Sequence, residues 1–364
     1  MKNSPFIKYG SSLLFFLLVT AFAFFLREKA ASNLNRDSDE ATYLAAGEEF
    51  AALIQTGNWS GFLETNPNPE HPPFTKILFG FAIVNQPQTP ADMPVDDTVF
   101  SPRGASARQV SVIFGALAAG LLALVNPFAG LLLAMHTMTI KYTSEIMLEA
   151  VAAFTSLASV LCYIGCKKNL DIGWWVASAL LLGLTAANKY IYAVVGFAIL
   201  LDWLIDTFET NKQWSRFFKT ALLWGLTSLA AFILFNPYLW TDPIERLSDS
   251  LFFHSNYSQN APEVVELAFP THQPFIWLTT SAKDWHPQNI FIYSVDNFFL
   301  IMSVLGLALL WRKERVYVFW ILFGMAFLLV WPTKWPQYTI ILSAPLALSA
   351  GEAVRVIFKT ILKK

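Results

Sequence analysis

The sequence is short of charge. Only 14% of its 364 residues are Asp, Glu, Lys or Arg, while 55% are hydrophobic. A soluble domain carries about 25% charge. Mean hydropathy is +0.46. The deficit fits a lipid solvent, in which a charged side chain near the bilayer centre costs about 3 kcal/mol or more. Cysteine is scarce too. Cys162 and Cys166 stand one helical turn apart, which excludes a disulfide scaffold and makes a poor metal site. An excess of cations is also missing, since net charge is -1, and no basic field marks a nucleic-acid partner. No internal repeat or low-complexity tract is present.

Long apolar runs are what the sequence does have. Ten reach spanning or near-spanning length, at about 9–26, 107–125, 127–142, 146–166, 172–188, 190–205, 217–236, 290–311, 316–331 and 338–357. The first follows Lys2 and Lys8 and could be read as a signal peptide. Its length and the spans behind it favour a retained helix. The expected fold is an all-α polytopic helical bundle over 1–364, a single domain with no separate soluble one.

Cations set the orientation. With the N-terminus in the cytoplasm, the inner segments receive Lys167, Lys168, Lys212, Arg216, Lys219, Arg312, Lys313, Arg315 and the terminal lysines. The short outer turns receive only Lys141, Lys189 and Lys334. Both termini are thus expected inside, in a multi-pass protein of the cell membrane. Two hydrophilic segments, about 27–106 and 237–288, then face outward. Within the first, 74–84 is apolar but too short to span, which predicts an interfacial helix.

Ionisable residues gather at the outer face. His136 is the only one expected in mid-span, whereas Glu145, Glu149 and Asp296 sit near outer helix ends. Transporters usually place such groups at the midplane. The first outer segment opens with Asp37-Ser38-Asp39-Glu40, and apolar residues follow at helical spacing from Tyr43. Asp37 or Ser38 is the expected cap, with Asp39 and Glu40 in the first turn; acids favour that position for the helix dipole alone. Farther on, Asn66-Pro67-Asn68-Pro69-Glu70-His71-Pro72-Pro73 is a stiff loop whose prolines fix the direction of Glu70 and His71. That pair offers two ligands to a divalent metal without a defined third, so no cofactor is assigned.

Asp39-Glu40-x-x-Tyr43 followed by His71-Pro72-Pro73 resembles the first periplasmic loop of the protein O-mannosyltransferases. It is also similar to the aminoarabinose lipid A transferases and related prokaryotic enzymes. Further matches follow in order: Glu145 with Met147-Leu148-Glu149, Asn188-Lys189-Tyr190, Asn236-Pro237-Tyr238-Leu239-Trp240, and Lys334-Trp335-Pro336-Gln337-Tyr338. The sequence departs from many members by lacking a C-terminal soluble domain, which bears on the acceptor.

The resemblance implies a GT-C glycosyltransferase of the cell envelope, moving a hexose or pentose from a polyprenyl-phosphate donor, usually with inversion. The acceptor would be a hydroxyl of a glycan, lipid or protein. Polyprenyl phosphate is already a good leaving group, so the chemistry requires one base for the attacking hydroxyl. By its match to the family aspartate, Asp39 is that base, with Glu40 in support. Tyr43, Glu70, His71, Tyr190, Gln337 and Tyr338 are candidate substrate contacts. Lys189 and Lys334 are candidates for the departing phosphate, with Arg103 and Arg108 behind them. Each cation fits a snorkelling anchor equally well. A transporter or flippase of lipid-linked sugars, and a non-catalytic membrane scaffold, are the competing classes.

Overall fold

The computed structural model describes residues 5–90, 92–210, 213–286 and 290–362. Lys2, Lys212, Lys363 and Lys364 of the charge pattern lie outside them. Among the described residues the regular structure is entirely helical. In chain order the α-helices are α1 (Pro5–Asn33), α2 (Glu40–Thr56), α3 (Gly61–Glu64), α4 (Phe74–Ile83), α5 (Pro102–Val125), α6 (Pro127–Met135), α7 (Thr137–Tyr142), α8 (Glu149–Asn169) and α9 (Ile172–Asn188). They continue as α10 (Val195–Thr210), α11 (Trp214–Leu234), α12 (Pro243–Asn260), α13 (Pro262–Leu267), α14 (Gln273–Thr279), α15 (Asp296–Lys313), α16 (Val316–Val330) and α17 (Ser343–Ile361). Short 3-10 turns lead into α10 at Tyr190–Val194 and into α17 at Pro336–Leu342.

Five stretches among the described residues are long and apolar enough to cross a membrane: Pro102–Val125, Glu149–Asn169, Tyr190–Glu209, Trp214–Leu234 and Pro336–Ile361. Helices α9 and α16 are shorter but also apolar. In α1, Leu13, Leu14, Leu17, Leu18 and Phe25 are exposed, as lipid-facing side chains are.

Three expectations are corrected. The first outer segment does not begin at Arg27, because α1 continues to Asn33. Arg27 is fully buried within it, donating to Thr143 Oγ1 at 2.8 Å. The run 127–142 is not one span, since it breaks at His136 into α6 and α7. The His136 ring caps α7, its Nδ1 accepting from the Thr139 amide at 3.3 Å, and lies 4.6 Å from the Phe299 ring. Asp296 reinforces the break by accepting from the Thr137 amide at 2.9 Å. Finally, α15 starts at Asp296 rather than near 290.

Small residues let the helices close. A Cβ on Gly306 of α15 would meet the Ser349 carbonyl oxygen of α17 at 1.8 Å. This is the close backbone approach that membrane bundles use in place of a hydrophobic drive between helices. The apolar 74–84 stretch is helix α4, packed on α2 and α5 with Thr75, Lys76, Ile77 and Phe79 buried. At the end rich in Lys and Arg, Asp202 of α10 accepts from Tyr163, Lys167 and Arg315 at 2.8, 2.9 and 2.8 Å. That cluster ties α8, α10 and α16 together.

Candidate active site

The opposite end of the bundle collects the residues of the loop motifs. Asp39 stands at the N-cap position of α2, half-buried, and its side chain makes no capping bond. Asp37 or Ser38 had been the expected cap. Leaving the Asp39 carboxylate out of the capping scheme frees it for other work. Gln337 donates to it from Nε2 at 3.3 Å. Burial raises the Asp39 pKa most, followed by the neighbouring Asp37 carboxylate. Lys189 lowers it, Glu149 raises it and Lys141 lowers it, and the balance stands at about 6. A carboxylate with that value is ionised at neutral pH yet basic enough to take a proton.

One helical turn along α2, Tyr43 is buried with its ring 6.2 Å from that of His71. The His71 loop is held from below. Lys76, one turn into α4, reaches back so that its ammonium donates to Asn66 Oδ1 at 2.6 Å and to the carbonyls of Pro67, Asn68 and His71 at 2.6, 2.9 and 2.9 Å. Asn68 takes a left-handed conformation, with φ 56°, to complete the wrap. Glu70 beside it is half-buried. Thr75 joins α4 to the end of α9 through Asn188 at 2.6 Å, directly before Lys189.

Lys189 is buried and ion-paired with Glu149 of α8, and its ammonium lies 5.1 Å from the Tyr338 ring centroid. Together with Tyr190, Tyr338, His71, His254 and Trp331 it lines a small recess of about 10 Å³. That is room for one water, so a sugar phosphate is admitted only when side chains move. His71 and His254 face each other at 5.3 Å, and His254 lies 5.1 Å from the Trp331 ring. Burial first, then Lys189, pushes the His254 pKa down to about 4, and the same two influences lead in holding His71 well below the usual range. Both rings are neutral at pH 7, and the buried His254 Nδ1 has no partner. Among the described residues no group of three or more His, Cys, Asp or Glu side chains stands ready for a metal ion.

The other candidates are placed elsewhere. Glu40 is fully buried and bonded through both oxygens to Arg108, so neither is turned toward a substrate. Arg103 donates to the Pro87 carbonyl at 3.0 Å and lies 3.7 Å from Glu48, which braces the first outer segment. The Lys334 ammonium folds back onto the C-terminal end of α16, donating to the carbonyls of Leu328 and Leu329 at 2.8 and 2.9 Å and to that of Trp331. It caps a helix and does not line the recess.

Lys141, Glu145, Glu149 and His254, at this same end, were not assigned as site residues from the sequence. Lys141 bonds Asp37 at 2.5 Å and Glu145 at 3.1 Å. Glu149 pairs with Lys189, leaving its Oε2 buried without a partner. His254 belongs to α12, in the second outer segment. The spacing Leu247, Ser250, His254 carries the signal, because it puts all three on one helix face.

No protein-family model matches the sequence, and no curated protein matches it. Among solved structures, ArnT from Cupriavidus metallidurans, in the apo state, superimposes with a TM-score of 0.63 at 16% identity. The match covers 98% of this chain and 62% of ArnT, so the chain spans less than two thirds of that protein's length. At this identity the likeness is one of fold. The chain shares the helical fold of ArnT, with five stretches among its described residues long and apolar enough to cross a membrane.

Proposed function

We propose that the chain is a glycosyltransferase that moves a sugar from a polyprenyl-phosphate donor to an acceptor hydroxyl at the outer membrane face. The observation that carries this reading is Asp39. Its carboxylate has a pKa of about 6, is bonded to Gln337, and lies in the electrostatic reach of Lys189. The ArnT-like fold supports it, being the fold expected of the transferases that the loop motifs resemble.

In this reading the acceptor oxygen attacks the anomeric carbon while its proton passes to Asp39. The bond from that carbon to the donor phosphate breaks, and its electron pair leaves on the phosphate oxygen. Attack opposite the leaving group inverts the centre. Lys189 opposes the charge that grows on the phosphate, which makes it worth more in the transition state than in the ground state. The neutral His71 and His254 rings with Tyr338 and Trp331 form walls for the sugar. The acceptor is a hydroxyl of a glycan, lipid or protein.

The experiment is transfer of radiolabelled sugar from polyprenyl-phosphate donors by the purified protein in liposomes. Label appearing in an acceptor with wild type, and not with Asp39→Asn, supports the enzyme. Donor crossing the bilayer intact, with no transfer, would establish a flippase instead.

A further inference from the structure

The end of the bundle away from Asp39 holds a much larger cavity, of about 830 Å³. It lies among the last turns of α8, the first turns of α9, the end of α10 and the first half of α11. The α8 residues that line it, Tyr163, Cys166 and Lys167, lie about 21–27 Å along the helix from Glu149 at 1.5 Å per residue, so it is separate from the candidate active site. Its size falls within the roughly 300–1,000 Å³ of ligand sites.

Packing explains why the space exists. Where α9 and α11 touch, a Cβ on Gly183 would meet the Ser228 carbonyl oxygen at 2.2 Å. Toward the Lys- and Arg-rich end they part, and Trp175, Trp203 and Trp224 become walls. Two polar atoms in that lining are buried without a partner, the Ser178 hydroxyl and the Trp175 indole nitrogen. Ser178 is only 1% exposed. A buried donor left unmade costs about 1–3 kcal/mol, and both would be satisfied by an oxygen-bearing occupant.

The charges at the mouth are unequal in their commitments. Lys167 is held by Asp202 at 2.9 Å and Asp206 at 2.6 Å. Arg216 and Asp171, which also line the cavity, have no charged partner among the described residues. Asp171 spends one oxygen on capping α9 through the Gly173 amide at 2.7 Å. The mouth therefore offers one cation and one carboxylate oxygen without a charged partner among the described residues, above apolar walls. That pattern complements a head that carries a phosphate and an ammonium, attached to a hydrocarbon tail.

We propose that this cavity binds a zwitterionic phospholipid with a primary-amine head, such as phosphatidylethanolamine. Its phosphodiester meets Arg216 and its ammonium meets Asp171. The tail lies along Trp203, Leu223 and Trp224, and Ser178 and Trp175 donate to ester oxygens.

The test is native mass spectrometry of the delipidated full chain, titrated separately with phosphatidylethanolamine, phosphatidylglycerol and inorganic phosphate. One phosphatidylethanolamine should bind, with phosphatidylglycerol and phosphate weaker by roughly tenfold or more, as loss of a charged hydrogen bond implies. Arg216→Gln and Asp171→Asn, the latter keeping the helix cap, should each weaken binding by a similar factor. Both positions are exposed, and a thermal melt checks that both variants fold. Absence of a bound lipid, equal binding of phosphatidylglycerol, or unchanged binding in either variant would overturn the proposal.

Discussion

Glu40 and Arg108, 68 residues apart, close a buried two-point ion pair: Arg108 donates from Nε to Oε1 at 2.8 Å and from Nη2 to Oε2 at 2.6 Å. The same carboxylate accepts from the Ile146 amide at 2.8 Å and the Asp37 amide at 3.0 Å, while Arg108 Nη1 donates to the Ala31 carbonyl at 2.6 Å. One pair thus knots the end of α1, the start of α2, α5 and the loop before α8. Asp39 sits one residue from the knot. Breaking a buried pair from one side costs about 3–5 kcal/mol. Glu40→Gln should therefore lower the melting temperature of the purified protein by several degrees and reduce transfer with it. A variant that melts like wild type would mean the knot contributes little.

Asp39 predicts the opposite profile. Asp39→Asn keeps the shape of the side chain and removes the base, so transfer should fall on the order of 10²-fold or more with melting unchanged. The pH dependence follows from the raised pKa of about 6. The ionised form is the working one, so the rate is flat above that value. It should then fall about tenfold per pH unit below it. A wild-type rate that stays level down to pH 4 would rule out Asp39 as the base.

Orientation is tested by thiol labelling in a background with Cys162 and Cys166 replaced by Ser. Gln88 and Asn260 are exposed at the Asp39 end, and Leu170 is 89% exposed at the other. Cysteines at 88 and 260 should react with an impermeant maleimide on intact cells. A cysteine at 170 should react only after permeabilisation. The reverse pattern would put the candidate site inside and exclude an outer-leaflet donor.

Much of this was legible because lipid and water impose opposite compositions. Runs such as 217–236 and 338–357 announce α11 and α17 by apolar length alone, and the charge bias separates two ends. The break at His136 was not legible, since the flanking residues are mostly apolar or small and the His136 cap is reinforced by Asp296, which holds the Thr137 amide from 159 residues away. Individual roles were harder still. The sequence places Asp39 and Glu40 side by side, and the resemblance made Asp39 the base with Glu40 in support. Only the fold, by bringing Arg108 onto Glu40, shows that one carboxylate is spent on structure. Lys334 was hard to read for a related reason: a lone outer-turn lysine fits a phosphate contact or an anchor equally well, and the carbonyls of Leu328, Leu329 and Trp331 that hold it lie in the same local run.

Lys189 and Lys334 can now be told apart by experiment. Both are buried cations at the same end of the bundle, but their partners differ. Lys334 serves the last carbonyls of α16, where a cation favourably meets the helix dipole. Lys189 faces the recess with His71 and Tyr338, and its partner Glu149 keeps one oxygen unsatisfied. Lys334→Met should therefore lower melting, by about 1–3 kcal/mol of lost bonds to buried carbonyls, and leave affinity for free polyprenyl phosphate near wild type. Lys189→Met alone would strand Glu149 as a buried charge, so the informative variant pairs it with Glu149→Gln. That double variant should melt close to wild type and bind polyprenyl phosphate at least roughly tenfold more weakly, the loss expected for one charge-assisted contact. Should the affinity loss follow Lys334 and spare the double variant, the phosphate site belongs at the end of α16 and the recess beside Asp39 holds something else.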